Sequence, residues 1–315
     1  MTRRRMMTRK EFIAGSGAVL VSALFGEVPV DEKPVLKFGM FSDTHHADLK
    51  EFWFGDEEVC RWFRLAKGRL EAAMKVFCER KPDFLIELGD FKDLVRKVPG
   101  PDGDDRDKDG TIQLTKDVEM LFRRFKGPRY HVFGNHDNDM LNKDEFAKLC
   151  PNTGISPKRS YYSFKMKGLT FIVLDGNFNK NNESYRGDKI NWNWKESRIP
   201  PEELAWLKEE LAKAPGKAVV FVHQRLDSNA RPFHRVLNGD EVQKVLSDSG
   251  KVIGVFQGHD HAGGYVREGG IGYYTIKALA SGPKPSCNSF AEVSIYPSGR
   301  VSVQGFACAT SVERL

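Results

Sequence analysis

The order of apolar and helical segments predicts a mixed-sheet α/β protein. Three observations carry this expectation. Six short apolar runs of strand length are separated by segments of helical periodicity, the carboxyl-terminal part changes to β character around a turn, and 22 Phe, 8 Tyr and 5 Trp supply ample apolar surface for a core. That aromatic content excludes disorder for the bulk of the chain. The length of 315 residues allows one large domain or two small ones. With no internal repeat and no second composition class, one domain over 35–315 is expected after a leading segment 1–26 and a Pro-containing linker 27–34.

The elements follow in order. Val35–Phe41, Phe84–Leu88, Tyr130–Phe133, Phe171–Leu174, Val219–Val222 and Val252–Phe256 are the apolar runs. Arg69–Glu79, Val118–Phe125, Asp144–Cys150, Glu202–Ala214 and Asp240–Ser247 read as helices. Pro200-Pro201 before Glu202-Glu203 marks a helix start, because Pro suits the first turn and acids suit the dipole there. Gly272–Thr275, Ala291–Tyr296 and Val301–Phe306 form the antiparallel tail, with Pro297-Ser298-Gly299 as a turn.

The net charge of +6 invites a nucleic-acid or membrane reading, and its location answers it. Residues 1–26 hold Arg3, Arg4, Arg5, Arg9 and Lys10 against Glu11, a balance of +4 that leaves +2 for the rest. A basic start, a mild apolar run Phe12–Phe25 too short to span a bilayer, and small residues at Val21-Ser22-Ala23 have the layout of a cleavable signal. Thr8-Arg9-Lys10-Glu11-Phe12-Ile13 resembles the twin-arginine export signal, with Lys in place of the second Arg, so an exported location is expected. A remainder near +2 gives little support for strong nucleic-acid binding, and no membrane span is expected in the mature chain.

Polar residues of metal-ligand type follow the apolar runs. The first ends in Ser42-Asp43-Thr44-His45, the second in Gly89-Asp90-Phe91-Lys92-Asp93, the third in Gly134-Asn135-His136-Asp137. The run at Val219 ends in His223, and the run at Val252 in Gly258-His259-Asp260-His261. A lone His is more often structural than ligating. Ligands, however, bind beyond the carboxyl ends of strands in α/β sheets, so five successive strand ends offering Asp, His and Asn point to one place.

This ordered set resembles the calcineurin-like metallophosphoesterases: Asp-x-His, Gly-Asp-x-x-Asp, Gly-Asn-His-Asp, a lone His, then Gly-His-x-His. The resemblance implies a four-layer α/β/β/α sandwich with two mixed sheets and a dinuclear site. Asp43, His45 and His261 would hold one ion, Asn135, His223 and His259 the other, and Asp90 would bridge them. Mixed carboxylate and imidazole donors favour Mn, Fe or Zn over Ca or Mg. The implied reaction is hydrolysis of phosphate esters by a metal-bridging hydroxide. His136 would protonate the leaving group or stabilise the transition state, and Asp93 would orient it.

Further segments resemble the manganese-dependent ADP-ribose/CDP-alcohol pyrophosphatases: His46-Ala47-Asp48-Leu49, Gly263-Gly264-Tyr265, Ser289-Phe290-Ala291 and Ile295-Tyr296-Pro297. His45 stands where that subgroup commonly carries Gln and restores the general family ligand. Broad phosphomonoester or phosphodiester hydrolysis therefore ranks first, and a nucleoside-diphosphate-linked substrate second. A nuclease or a non-catalytic metal-binding protein on the same fold are the rival classes.

Gly176–Pro201, with Asn177, Asn179, Asn181, Asn182, Tyr185, Arg186, Trp192 and Trp194, is the expected specificity element for a small phosphorylated substrate. Asp105–Gly110 spaces its acids like a calcium loop, but Lys116 stands where the bidentate Glu belongs, so a solvated acidic loop is expected. The five Cys have no metal-type spacing; Cys287 and Cys308 lie almost symmetrically about the Ser298-Gly299 turn and are a candidate disulfide.

Overall fold

A computed structural model describes residues 32–54, 59–96, 106–156, 159–187, 191 and 193–315. The elements run β1 (Leu36–Phe41), β2 (Phe52–Phe54), β3 (Val59–Arg61), α1 (Ala66–Arg80), β4 (Phe84–Glu87), α2 (Lys108–Phe122), β5 (Arg129–His131) and α3 (Lys143–Leu149). They continue with β6 (Tyr162–Met166), β7 (Leu169–Val173), α4 (Pro201–Lys213), β8 (Ala218–Val222), α5 (Gly239–Asp248), β9 (Val252–Gln257), β10 (Gly264–Glu268) and β11 (Ile271–Thr275). The last strands are β12 (Ser281–Gly282), β13 (Ser289–Ile295) and β14 (Val301–Ala307).

Two mixed sheets face each other. Sheet 1 has the order β14-β13-β1-β4-β5, with β1, β4 and β5 parallel and β13 and β14 antiparallel. Sheet 2 has the order β10-β11-β9-β8-β7-β6, parallel from β11 through β7 and antiparallel at both edges. The layer between them is largely aromatic: Phe38 of β1 stacks on Phe84 at 5.0 Å and meets Phe221 and Phe256 of sheet 2 edge-on at 5.4 and 5.3 Å. Helices α1, α2 and α3 cover the other face of sheet 1 with Leu70, Phe77, Val118, Phe122 and Phe146, and α4 and α5 cover sheet 2 with Leu204, Leu207, Val242 and Leu246. The four-layer sandwich is thus built from two sheets that each bury both faces, which is why their central strands read as continuous apolar runs.

Phe38 spans the inter-sheet layer with no exposed surface. Phe38→Ala removes about 3–5 kcal/mol of stability by loss of burial and by the cavity left behind. In scanning calorimetry this lowers Tm by on the order of 10 °C for a domain of this size; a shift under about 2 °C would mean that the layer collapses around the gap.

The predicted helices and central strands are present, with shifted ends. The largest difference is α2, which begins at Lys108 rather than near Val118. The side chain of Asp107 accepts from the Gly110 amide and caps the helix, so these acids serve a helix start and not a loop. Asp105, the first residue of that stretch, lies outside the described residues, as do the export signal, most of the linker and Trp192. The β6–β7 hairpin turns at Lys167-Gly168, both with positive φ (49° and 80°), the signature of a tight turn. A small third sheet, β12-β3-β2, was not expected at all. Cys287 and Cys308 are free thiols rather than a disulfide. Residues Lys33–Leu315 form one compact unit. Among the described residues no helix is long and apolar enough to cross a membrane.

Candidate metal centre

The carboxyl ends of both sheets open on one cavity. Sheet 1 contributes Asp43 and His45 after β1, Asp90 after β4, and Asn135 and His136 after β5; sheet 2 contributes His223 after β8 and His259 and His261 after β9. Four of these residues have left-handed backbones: Asp43 (φ 55°), His45 (43°), Asp90 (57°) and His259 (66°). That conformation costs a side chain on the order of 1–3 kcal/mol and persists where the surroundings over-determine it. Here they do: the Asp43 and His45 amides donate to the Gly89 and Asp90 carbonyls, each at 2.9 Å, locking the two strand ends together. Asp137 accepts from the Asp90, Phe91 and Gly134 amides at 2.8–3.0 Å, which binds the second motif to the third. Gly134 has to be glycine, because a Cβ there would lie 2.1 Å from the Asp90 nitrogen.

The donor atoms gather in two groups, Asp43 with His45 and His261, and Asp90 with His223 and His259, each within 4.8 Å. His261 Nε2 is 3.2 Å from Asp43 Oδ1 and 3.1 Å from His45 Nε2, and Asp90 Oδ2 is 3.5 Å from His45 Nε2 and 3.3 Å from His223 Nε2. Asp90 thus stands between the groups. Asn135 lines the same cavity, and its Oδ1, Asp43 Oδ1 and His259 Nε2 are buried with no hydrogen-bond partner.

The residues present fit metal ions. Imidazole ligands need the second ring nitrogen held by an outer partner, so that the first keeps its lone pair. His45 Nδ1 meets Asp93 Oδ2 at 3.1 Å, His223 Nδ1 meets the Leu88 carbonyl at 2.8 Å, and His261 Nδ1 meets Ser281 Oγ at 2.7 Å, leaving all three Nε2 atoms turned inward. Burial and the Arg61 charge pull His261 down to about 4, which keeps it neutral. Burial works against the Asp90 carboxylate, but His223 and His136 outweigh it and hold Asp90 well below the usual range. At His223 burial lowers the pKa, yet Asp90 and Asp43 override it and push it up to about 9. The centre attracts positive charge strongly enough to overcome desolvation, as a cation site must.

His136 sits at the cavity edge, where a second carboxylate, Asp139, joins the expected Asp93. Its Nδ1 lies 2.8 Å from Asp139 Oδ2 and 3.5 Å from Asp93 Oδ1. Asp139 is three residues on, at the end of the same short 3-10 turn, whereas Asp93 Oδ2 is engaged by His45 and, at 3.2 Å, by Arg61. Lys92, fully buried, ties this turn down by donating to the His136 and Asp139 carbonyls.

The cavity measures about 450 Å³, and its walls were only partly expected. Besides the donors it is lined by Phe52 of β2, Arg61 of β3, Trp194, Arg231 and His234. Trp194 meets His234 at 5.5 Å and His259 at 5.9 Å. Of the 176–201 segment, Trp194 lines this cavity, but Asn177 turns into the interior, donating to the Phe133 carbonyl and accepting from Gln224. Tyr185 is buried as well, and its hydroxyl donates to the Asn193 carbonyl. Arg186 lines a separate polar cavity with Lys143 and Arg159.

Two sheets that deliver Asp, Asn and His from successive strand ends into paired cation-attracting groups define a phosphoester hydrolase of the two-metal class. The chain belongs to the calcineurin-like phosphoesterase family, whose model matches residues 36–263. It is 25% identical over 302 residues to a manganese-dependent ADP-ribose/CDP-alcohol diphosphatase of Oryza sativa subsp. japonica, covering 84% of this chain and 89% of that protein. A protein of the same description from Arabidopsis thaliana is 25% identical over 304 residues, with 84% and 92% covered. Among solved structures, a dimetal phosphatase from Danio rerio shares the fold with a TM-score of 0.74 at 18% identity, covering 90% of this chain and 98% of that one.

Proposed function

We propose that the chain hydrolyses small organic phosphates with two metal ions, Asp43, His45 and His261 holding one, Asn135, His223 and His259 the other, and Asp90 reaching both. The carrying observation is the convergence of seven donors, three with buried oxygen or nitrogen atoms lacking any hydrogen bond, of which Asp90, Asn135, His259 and His261 line one cavity. When bound, the ions supply Lewis acidity and a nucleophile at neutral pH; manganese is favoured by the names of the relatives. The protein's own part is to orient the phosphorus between the floor and His136, to donate a proton from His136 to the departing oxygen, and to grip the remainder of the substrate along the walls. An exported location completes the reading, resting on the Thr8–Ile13 motif and the apolar run after it.

A second reading, cleavage of the pyrophosphate link in nucleoside-diphosphate-linked substrates, is favoured by the walls. A cavity near 450 Å³ exceeds what a bare phosphate fills, Arg61 and Arg231 flank its floor with planar donors suited to a further phosphate, and Trp194 and Phe52 offer aromatic faces. The purified chain is tested on p-nitrophenyl phosphate, its bis-ester, ADP-ribose and CDP-choline, with chelator and Mn²⁺ add-back. Chelation abolishes and Mn²⁺ restores hydrolysis. The second reading further requires a kcat/KM at least about tenfold higher on the two diphosphates, about 1.4 kcal/mol of transition-state binding. Inactivity on all four with Mn²⁺ present would refute both readings.

A further inference from the structure

On the helix side of sheet 1 lies a buried row of charges that the proposed chemistry does not use. Glu119 of α2, His131 of β5 and Glu87 of β4 stand in line, each no more than 3% exposed. Glu119 Oε2 lies 3.2 Å from His131 Nε2 as an ion pair outside hydrogen-bond geometry, and His131 Nδ1 is hydrogen-bonded to Glu87 Oε2 at 3.4 Å. The ring is boxed by Phe91, Phe122 and Phe146, with centroids at 5.3, 5.0 and 6.1 Å. Its backbone is fixed as well: the His131 amide donates to Asn152 Oδ1 at 2.6 Å, and the Tyr162 hydroxyl donates to the His131 carbonyl at 2.8 Å. Arg123 closes the outer end with a 2.7 Å bond to Glu119 Oε1.

The inner end of the row reaches the metal centre. Glu87 Oε1 accepts from the Gly89 amide at 2.6 Å. Gly89 has φ 100° and Asp90 φ 57°, a turn no ordinary strand end adopts. The same stretch, Glu87 to Asp90, orients a second donor, since the Leu88 carbonyl holds His223 Nδ1. The turn is also tightly enclosed: a Cβ on Gly89 would lie 2.5 Å from His223 Nδ1 and 2.7 Å from the Gly134 amide. A small displacement of Glu87 therefore moves Asp90 and His223 together.

We propose that Glu119, His131 and Glu87 are positioning residues: the row clamps the Glu87 carboxylate against the Gly89 amide and so holds the left-handed turn that aims Asp90, and through Leu88 also His223, into the donor set. This rests on the reading of Asp90 and His223 as metal ligands. A carboxylate free to rotate in a dry interior gives a poor clamp, whereas one pinned by an imidazole that is itself pinned by a second carboxylate has a single orientation. The shared proton suits this arrangement: burial lowers the pKa of the ring, but Glu119 and Glu87 push it up to about 9, while burial pushes Glu87 itself up to about 8.

The test is direct Mn²⁺ binding to the full chain by calorimetry, with kcat and KM on p-nitrophenyl phosphate at saturating Mn²⁺. Glu87→Ala and His131→Ala weaken Mn²⁺ binding by roughly 10–100-fold, the range seen when partners of metal ligands are lost, and lower kcat with KM unchanged. Glu87→Gln, which keeps an oxygen for the Gly89 amide, recovers binding to within about threefold of the unaltered protein. Leu246→Ala, in the helix layer over sheet 2, loses thermal stability without moving Mn²⁺ affinity and so separates positioning from general weakening. Unchanged Mn²⁺ affinity and kcat in Glu87→Ala and His131→Ala, with only Tm lowered, overturn the proposal. So does a third metal ion per chain that disappears in Cys150→Ala, because Cys150 lies within 4.8 Å of Glu119 and His131 and the row would then be a metal site itself. Failure of the unaltered protein to bind Mn²⁺ overturns both this proposal and the reading of the centre, whereas intact binding with unmoved variants overturns this one alone.

Discussion

Asp90→Asn loses at least about 10³-fold in kcat/KM, about 4 kcal/mol of barrier, and retains fewer than two Mn²⁺ ions per chain by elemental analysis. The reason is charge. Two divalent ions about 4 Å apart repel each other by on the order of 16 kcal/mol at an effective dielectric near 20, and the seven donors offer only two carboxylates, Asp43 and Asp90, to offset it. Asp90 stands between the groups, with Oδ2 within 3.5 Å of both His45 and His223, while its Oδ1 accepts from the His136 amide at 2.8 Å. An asparagine keeps the volume and can keep that last bond, so the substitution removes charge and little else. Without metal the variant should unfold below the Tm of the unaltered protein, because His223 and His136 favour the Asp90 anion strongly enough to overcome its burial, and its loss leaves the His223 charge unpaired. An Asn variant holding two ions and a tenth or more of the activity would remove Asp90 from the role given to it.

Much of this centre was legible because its donors are local to strand ends. Asp43, His45, Asp90, Asn135, His223, His259 and His261 each follow an apolar run within a few residues, so reading the strands also located the candidate donors. The walls had no such marker. Phe52 and Arg61 belong to β2 and β3, strands of three residues whose meaning arises from pairing β3 with Ser281-Gly282, more than 200 positions away. Arg231 and His234 lie in an irregular stretch after β8, and only the fold turns them toward the cavity. Within 176–201 the polar residues looked equivalent, yet Asn177 satisfies buried carbonyl and amide groups while Trp194 faces the cavity. Composition cannot separate those fates; hydrogen-bond demand in the interior does. Lys-Gly at 167–168 and Asp107 three residues before Gly110 are signals a closer reading of turn and cap chemistry could have used. At His136 the sequence pointed to Asp93 and left Asp139 unnoticed. Asp93 and Asp139 are both near it, and the choice depends on which of them Arg61 and His45 already occupy.

That choice shapes the second large effect, at His136. Its ring is 22% exposed at the cavity edge, with Nδ1 against Asp139. Burial lowers its pKa, but Asp93, Asp139 and Asp90 outweigh burial and hold it well above the ordinary histidine value, so the imidazolium that can give up a proton is the populated form. Bound cations push in the opposite direction, toward the neutral range that suits an acid catalyst. His136→Gln therefore lowers kcat on an alkyl phosphate or CDP-choline by about 10²–10⁴-fold, the usual worth of a positioned acid. On p-nitrophenyl phosphate, whose phenolate departs without a proton near neutral pH, the loss is several-fold at most. A general acid is distinguished by that dependence on the leaving group; a residue that merely binds phosphate would lose equally on both esters, and equal losses would assign His136 to binding. Asp139→Asn and Asp93→Asn then separate the two carboxylates. If Asp139 fixes the ring, its variant shows the same leaving-group dependence in weaker form with metal affinity unchanged, whereas Asp93→Asn, which meets His45 and Arg61 as well as His136, also lowers metal affinity.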